Sequence, residues 1–139
     1  MRLGIKLLNV GATLNQFQYA NIIKIARGET LNLTFQLVDL DQNGLRYVPA
    51  AGATVQVQLP RSADQIKVDM QHRSVIDSTI DRPAAQAFSQ DGSIWTLPLI
   101  AADTLSMVST LIRVVVVEGP SSKIATLNSA IKIIDGQDN

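Results

Sequence analysis

Cysteine is absent from the 139-residue sequence. Neither a disulfide framework nor a thiolate-based metal or catalytic site can therefore form. Histidine and glutamate are almost as scarce, because the chain has only His72, Glu29 and Glu118. Histidine and carboxylate side chains are the usual general bases and metal ligands of enzymes. The composition therefore weighs against catalysis and metal binding before any motif is considered.

Charge is also scarce. Charged residues make up 17% of the chain, against about 25% in ordinary soluble domains. Lys and Arg number 12 and Asp and Glu number 12, so the net charge is zero. Such a chain lacks the positive electrostatic field that attracts nucleic acids or anionic membranes, so we expect neither as a partner. Two interpretations of the weakly charged surface stay open: an uncharged polar surface on a well-packed domain, or a surface that other protein subunits cover.

Long apolar runs are missing as well. No run reaches the roughly 18 residues that a membrane-spanning helix needs. The first nine residues begin like a signal peptide, but Lys6 and Asn9 interrupt the apolar stretch too early. We therefore expect no targeting segment and no membrane span, so another component would have to carry the protein to any surface that it reaches.

Apolar and polar residues alternate with a period of two in several segments, which is the pattern of half-buried β-strands. The clearest segments are residues 31–38, 55–59, 66–70 and 112–117. The residues predicted to face the core are Leu33, Phe35, Val55, Val57, Ile112 and Val114. A last strand is predicted over residues 124–134, with a bend near Asn128.

Turn residues separate the predicted strands. Asn43-Gly44 and Gly119-Pro120 follow strong strand patterns and predict hairpin connections. A helical pattern is confined to residues 101–108, where one or two turns with Asp103 as N-cap would cross from one sheet to the other.

This spacing predicts an all-β fold, an immunoglobulin-like antiparallel β-sandwich of about eight strands over residues 27–139. Residues 1–26 are expected to be an N-terminal extension, in which residues 1–17 form an arm for a neighbouring subunit and residues 21–26 form the first strand. Residues 73–92 are expected to be a long connection and a second contact arm. A flexible tail and a mobile loop are the alternatives for these two segments.

Candidate sites for metal or catalysis are weak. Residues 39–44 copy the first half of a calcium loop, but Ala50 stands where the closing glutamate is needed, so a hairpin without metal is predicted. His72 has Asp69, Ser74 and Asp77 nearby in sequence, which does not make a catalytic triad. No catalytic, cofactor-binding or metal-binding residue is therefore predicted.

Three aromatic residues, Tyr19, Tyr47 and Trp95, are candidates for stacking on sugar rings. Aromatic residues make up only 4% of the chain, so a sugar-binding platform would depend on very few rings. Trp95 is instead expected to be an anchor in the core or in an interface.

The stretch from Ala26 to Asp39 reads Ala-Arg-Gly-Glu-Thr-Leu-Asn-Leu-Thr-Phe-Gln-Leu-Val-Asp, and Asn43-Gly44 and Ala51-Gly52-Ala53-Thr54-Val55 follow it. Residues 26–59 thereby resemble the β-sandwich domains of tailed-bacteriophage virion structural proteins, such as the N-terminal domain of upper baseplate proteins. The resemblance implies a multi-copy structural component of the virion, made in the host cytoplasm, without enzymatic activity or cofactors. Its partners would be other virion subunits or further copies of itself.

The resemblance slightly favours the tail or baseplate over a capsid-decorating, cement role. A carbohydrate-binding or adhesin-type β-sandwich module remains the alternative function.

Overall fold

The structure is a computed structural model that describes residues 1–9, 18–20, 22–60, 66–68, 74–76, 80–88 and 91–135. These residues are mostly β-strand, with a single α-helix among them, and the strands form several sheets. The predicted all-β sandwich class is therefore confirmed. The described part contains more strands than the eight predicted, because several have only two to four residues.

The strands, in chain order, are β1 (Leu3–Asn9), β2 (Gln18–Ala20), β3 (Ile23–Ala26), β4 (Leu31–Asp39), β5 (Leu45–Arg46), β6 (Thr54–Leu59), β7 (Ile66–Val68), β8 (Ser74–Ile76), β9 (Ile80–Pro83), β10 (Ala85–Phe88), β11 (Asp91–Leu99), β12 (Ile112–Glu118), β13 (Ser121–Leu127) and β14 (Ile131–Ile134). A 3-10 turn covers Leu40–Gln42, and helix α1 covers Ala101–Leu105.

The first sheet has the strand order β10-β11-β4-β1-β2, with β5 paired to the end of β4. β4 is central, and its Phe35 lies opposite Leu7 on β1 and Trp95 on β11. The apolar side chains of β4 fill the core, while Thr34 and Gln36 on its other face are also buried. Both faces of this strand are therefore covered, as expected for the middle of a sheet.

The second sheet has the order β13-β12-β6-β9 and is antiparallel throughout. β12 and β6 form its centre, with Val114 opposite Val57 and Val116 opposite Val55. All six predicted core residues on β4, β6 and β12 are at most 1% exposed. The period-two pattern therefore identified the core positions of both sheets correctly.

Both predicted hairpin turns are confirmed. β4 turns into β5 through Asn43 and Gly44, which have positive φ angles of 58° and 75°. β12 turns into β13 through the two-residue loop Gly119-Pro120, and Gly119 has a φ of 57°. Glycine adopts such an angle without the steric cost that a Cβ atom would add.

The prediction that residues 1–17 form an arm for a neighbour is wrong for β1. This strand pairs with β4 from Leu3 opposite Asp39 to Leu7 opposite Phe35, and its apolar side chains are buried. A Cβ atom at Gly4 would lie 2.7 Å from Cδ2 of Leu40. Glycine therefore leaves room for the Leu40 side chain, which packs over β1 at this point. The sandwich therefore begins within the first nine residues, and residue 26 does not divide an arm from a domain. Residues 10–17 lie outside the described part.

The predicted long connection over residues 73–92 is also wrong where the structure describes it. The segment contains β8, β9 and β10, of which β9 pairs with β6 and β10 with β11. The chain passes from the second sheet to the first at Ala84, whose N–H donates to the Val55 carbonyl at 2.7 Å. Strands of three or four residues, one of them ending at Pro83, are too short to produce a recognisable alternation.

The C-terminal segment forms two strands and not one bent strand. Ser129 has a φ of 54° between β13 and β14, so the chain turns there instead of bending. β14 runs parallel to β3, with Ile131 opposite Ile23. The predicted strand within residues 21–26 is therefore confirmed as β3, but its partner is parallel, unlike the antiparallel sheets around it.

Helix α1 confirms the predicted helical turn, and it connects β11 of the first sheet to β12 of the second. The predicted N-cap at Asp103 is wrong, because the helix begins after Ile100. Asp103 instead occupies the third helical position, where its Oδ2 accepts the Ile100 N–H at 3.0 Å. A carboxylate in the first turn still satisfies a free N–H group and favours the positive end of the helix.

Candidate functional site

The hairpin over residues 39–46 uses its carboxylates for structural contacts. Asp39 Oδ1 accepts the Asp41 N–H at 2.9 Å. The Asp41 carboxylate pairs with Arg2 at 3.0 Å and with the N-terminal ammonium at 3.5 Å. The hydrogen bond from Arg2 lowers the pKa of Asp41. Within the described ranges, no group of three or more His, Cys, Asp or Glu side chains is placed to hold a metal ion.

The residues considered for a triad are not brought together in the described part of the chain. Ser74 begins β8, whereas His72, Asp69 and Asp77 lie outside the described residues. The prediction that these residues are not catalytic therefore stays a prediction.

Trp95 is a core residue and does not present an open ring for sugar stacking. Its side chain is 8% exposed, and its Nε1–H donates to the Gly92 carbonyl at 3.0 Å. Tyr47 is half-buried, and its hydroxyl donates to Glu118. Tyr19 lies on β2. The Trp95 indole, on which the carbohydrate-binding alternative depends, is therefore buried in the core.

A cluster around Glu118 closes one end of the sandwich. Glu118 ends β12, and its carboxylate accepts hydrogen bonds from the Tyr47 hydroxyl, from Lys123 Nζ at 2.9 Å and from the Ala50 N–H at 2.8 Å. Lys123 Nζ also lies 5.7 Å from the centre of the Tyr47 ring. The cluster therefore fastens the connection between β5 and β6 to the β12–β13 hairpin.

The electrostatics of this cluster follow from its hydrogen bonds. Those from Tyr47, Lys123 and Ala50 lower the pKa of Glu118 from 4.5 to about 2. Burial and the neighbouring Glu118 carboxylate raise the pKa of Tyr47, and the hydrogen bond to Glu118 raises the pKa of Lys123. A carboxylate with three donors is held in its charged form and is a poor proton acceptor near neutral pH. The cluster therefore holds its carboxylate in the charged form and joins two connections of the sandwich.

Replacing Glu118 with Gln should lower the free energy of unfolding at neutral pH by about 1–2 kcal/mol, because charge-assisted hydrogen bonds are lost. Solvent screening keeps the loss at this modest size. Since the folded-state pKa of about 2 lies below the ordinary value of 4.5, Glu118 contributes stability above that ordinary value. This contribution is lost as the pH falls towards 2. Urea denaturation at neutral pH and at about pH 3 should show a smaller difference for E118Q than for the wild type.

The control is Glu29→Gln, which changes the other glutamate of the chain at an exposed position. E29Q should follow the wild type at both pH values. If E118Q lost as much stability between the two pH values as the wild type does, the Glu118 cluster would not be the acid-sensitive contact that the geometry indicates.

The opposite end of the sandwich is closed around Arg27. Its guanidinium pairs with Asp135 at 2.6 Å and donates to the carbonyls of Leu105 and Met107, both at 3.0 Å. The Thr104 hydroxyl donates to the Glu29 carbonyl at 2.7 Å. Helix α1 is thus tied to the segment that follows β3.

A surface cavity of about 320 Å³ lies beside helix α1 and is lined by Ile80, Ala102, Asp103, Ser106 and Met107. The Asp103 carboxylate in its wall pairs with Arg82 at 2.6 Å and caps the helix. The hydrogen-bonding capacity of Asp103 Oδ2 is therefore used by Arg82 and by the Ile100 N–H.

Large apolar side chains are exposed at Met1, at Ile22 and in three further regions of the described surface. Leu40, Leu45 and Val48 lie on the connection that follows β4. The surroundings of helix α1 expose Ile100, Leu105 and Val108, and the outward face of the second sheet exposes Val117 on β12 and Ile124 on β13. These residues are the large apolar side chains that the three regions leave open to solvent.

Neither the protein-family models nor the curated protein sequences contain a match to this chain. Among the described residues, no helix has the length and apolar character required to cross a membrane. The geometry of the described residues and the sequence resemblance are therefore the basis for a functional proposal.

Sequence reasoning missed the Glu118 cluster entirely. Tyr47 and Glu118 are 71 residues apart, and no local pattern relates them. The one available signal was the position of Glu118, a rare residue type in this chain, directly before the Gly119-Pro120 turn. A polar side chain at the end of an apolar strand often makes such a contact, but the residue that it contacts is known only from the three-dimensional structure.

Proposed function

We propose that this chain is a non-enzymatic structural component of a tailed-bacteriophage virion, present in multiple copies, that binds other virion subunits. Its role is mechanical, adding contacts that hold larger subunits in register. The sequence resemblance of residues 26–59 favours a place in the tail or baseplate over decoration of the capsid.

The observation that carries the proposal is the exposed apolar surface on a weakly charged chain. Leu45, Leu105 and Val48 are 64%, 59% and 58% exposed. Burying the part of such a side chain that is still exposed contributes about 1–2 kcal/mol, so a partner that covered several of them would gain binding free energy. With 17% charged residues, the chain has little charge to keep such a surface in solution.

The position of the resembling stretch supports the proposal. Residues 26–59 include β4 at the centre of the first sheet and β6 near the centre of the second. Their connection includes Tyr47, which is bonded to the Glu118 cluster. The stretch that resembles virion proteins thus supplies central strands of both sheets, and it also contains the exposed apolar residues Leu40, Leu45 and Val48.

The use of the charged groups agrees with a mechanical role. Asp91 pairs with Arg46 at 3.1 Å and Asp103 with Arg82 at 2.6 Å, and each pair joins residues distant in sequence. Together with the Glu118 cluster, these pairs fix connections between strands. Carboxylates that are paired with neighbouring cations stay charged, so they stabilise the contact between two strands and are poor proton acceptors.

Phage with a nonsense mutation in the gene for this chain tests the proposal. Particles made without the protein should form in lower yield or break apart at lower temperature, and supplying the protein in trans should restore them. Particles that assemble, withstand heat and infect normally without it would overturn the proposal. Particles that assemble normally but no longer attach to cells would favour the adhesin-type alternative instead.

A further inference from the structure

Strand β13 is a long sheet edge without the usual protection. It has seven residues and pairs with β12 along its whole length, with no shift in register. It is the only one of the described edge strands with this character, because every other one has two to four residues. In addition, β9 ends at Pro83, and the pairing of β10 is interrupted by a register shift. Proteins normally blunt exposed edges with short strands, prolines, bulges or outward lysines.

The lysine of β13 does not protect the edge either. Lys123 is held by the Glu118 carboxylate and lies near the Tyr47 ring. Among the described strands only β12 pairs with β13. The inward-facing Ala125 of β13 is buried, and β1 of the other sheet packs against β13. With respect to the described residues, the open side of β13 is therefore its backbone edge, together with its outward face.

The hairpin geometry fixes which backbone groups point out from this edge. In a two-residue loop the flanking residues, here Glu118 and Ser121, form a hydrogen-bonded pair. Hydrogen-bonded and non-hydrogen-bonded pairs then alternate along an antiparallel ladder. The N–H and C=O groups of Ser122, Ile124 and Thr126 therefore point away from β12, towards a potential new strand.

The sequence of β13 is complementary to itself about Ile124. If two copies pair in antiparallel fashion around this residue, Ile124 lies opposite Ile124 and Ser122 lies opposite Thr126. All three outward-pointing residues then have partners, which gives about six backbone hydrogen bonds. Lys123, the only charged residue of the strand, lies opposite Ala125, so no like charges meet.

We propose that a second copy of this chain pairs with β13, edge to edge and antiparallel, about a twofold axis at Ile124. The two second sheets then form one continuous sheet. Ile124, 47% exposed in the single chain, packs against its counterpart, and Val115 extends the apolar row because it lies opposite Ile124 on β12. This names one partner for the multi-copy role proposed above, but it depends only on the geometry of β13.

Cysteine cross-linking of the purified full-length chain tests the axis directly, because the natural sequence has no cysteine. Opposite residues of a hydrogen-bonded antiparallel pair have Cα atoms about 5.5 Å apart, within reach of a disulfide or a short bis-maleimide. I124C should therefore form a covalent dimer at least about tenfold faster than S122C, whose two copies lie far apart across the axis. A mixture of S122C and T126C should cross-link to a heterodimer.

Charge variants provide an independent measurement by analytical ultracentrifugation. Ile124→Lys places two ammonium groups side by side at the axis and should convert the dimer to a monomer. Thr54→Lys is the matched control, because Thr54 is exposed on the same sheet but on β6, two strands away from the edge. T54K should sediment as the wild type does.

Three results would overturn the proposed edge pairing: a monomeric wild-type chain at high protein concentration, equal cross-linking of I124C and S122C, or a dimer that survives I124K. Each of these leaves the virion role standing, because that role is tested on particles and not on the purified chain. Conversely, a dimer with the predicted cross-links would stand even if the protein were absent from virions.

Discussion

Removing residues 1–9 should leave a chain that no longer unfolds cooperatively. β1 pairs with the central strand β4, and its Leu3, Ile5, Leu7 and Leu8 side chains are at most 9% exposed. Burying four such side chains contributes about 6–12 kcal/mol, which is as large as the whole net stability of a typical domain. Thermal unfolding followed by near-ultraviolet circular dichroism should show a sigmoidal transition for the full chain and none for the truncated one.

Removing only residues 1–2 is the matched control for this truncation. Both residues are exposed, and the deletion breaks their surface ion pairs with Asp41 and the hydrogen bond from the Leu40 N–H to the Arg2 carbonyl at 2.9 Å. Exposed pairs of this kind contribute about 0–1 kcal/mol, so the melting curve should shift only slightly. A truncation of residues 1–9 that melts as the full chain does would restore the interpretation of this segment as a free arm.

Replacing Phe35 with Ala should lower the free energy of unfolding by about 3–5 kcal/mol. Phe35 is fully buried at the centre of β4, opposite Leu7 and Trp95. The substitution removes the ring and leaves a cavity that neighbours in two flanking strands cannot easily fill. Urea denaturation should show a lower midpoint with an unchanged slope, because the surface exposed on unfolding stays nearly the same.

Val117→Ala is the control for Phe35→Ala, because Val117 lies on β12 with its side chain 39% exposed. Its expected loss is below about 1 kcal/mol. Similar losses for F35A and V117A would show that the register of β4 in the first sheet is incorrect.

The alternation of apolar residues was sufficient to predict the all-β class and the six core positions. It failed at β1, although Leu3, Ile5 and Leu7 also alternate. The prediction failed because these residues were assigned to an arm for a neighbouring subunit and not to the core of the chain's own sandwich. The core needs them, since β4 is buried on both faces and the first sheet extends past it to β1.

Two other errors have a common cause in long-range pairing. β9 and β10 are short, and β9 is stabilised as a strand by β6, more than twenty residues earlier in the chain. The parallel pairing of β14 with β3 joins segments that lie far apart in the sequence, with Ile131 opposite Ile23. Neither partner is visible in a local pattern, so sequence reasoning placed a loop at the first position and a single continuous strand at the second.

The functional surfaces were only partly predictable for the same reason. The shortage of charge left two interpretations open, an uncharged polar surface or a surface covered by a partner, and it identified no particular region. The edge of β13 becomes evident only when Ser122, Ile124 and Thr126 are known to lie at the end of a sheet and to point away from β12.

Quantitative mass spectrometry of density-gradient-purified phage particles tests the central claim most directly. The measurement compares the number of copies of this chain with the number of copies of the major capsid and tail subunits. A structural virion component should be present in several copies per particle, at a ratio that stays constant through successive purification steps. Absence of the chain from infectious particles, or an amount that falls with every step, would contradict the proposed role.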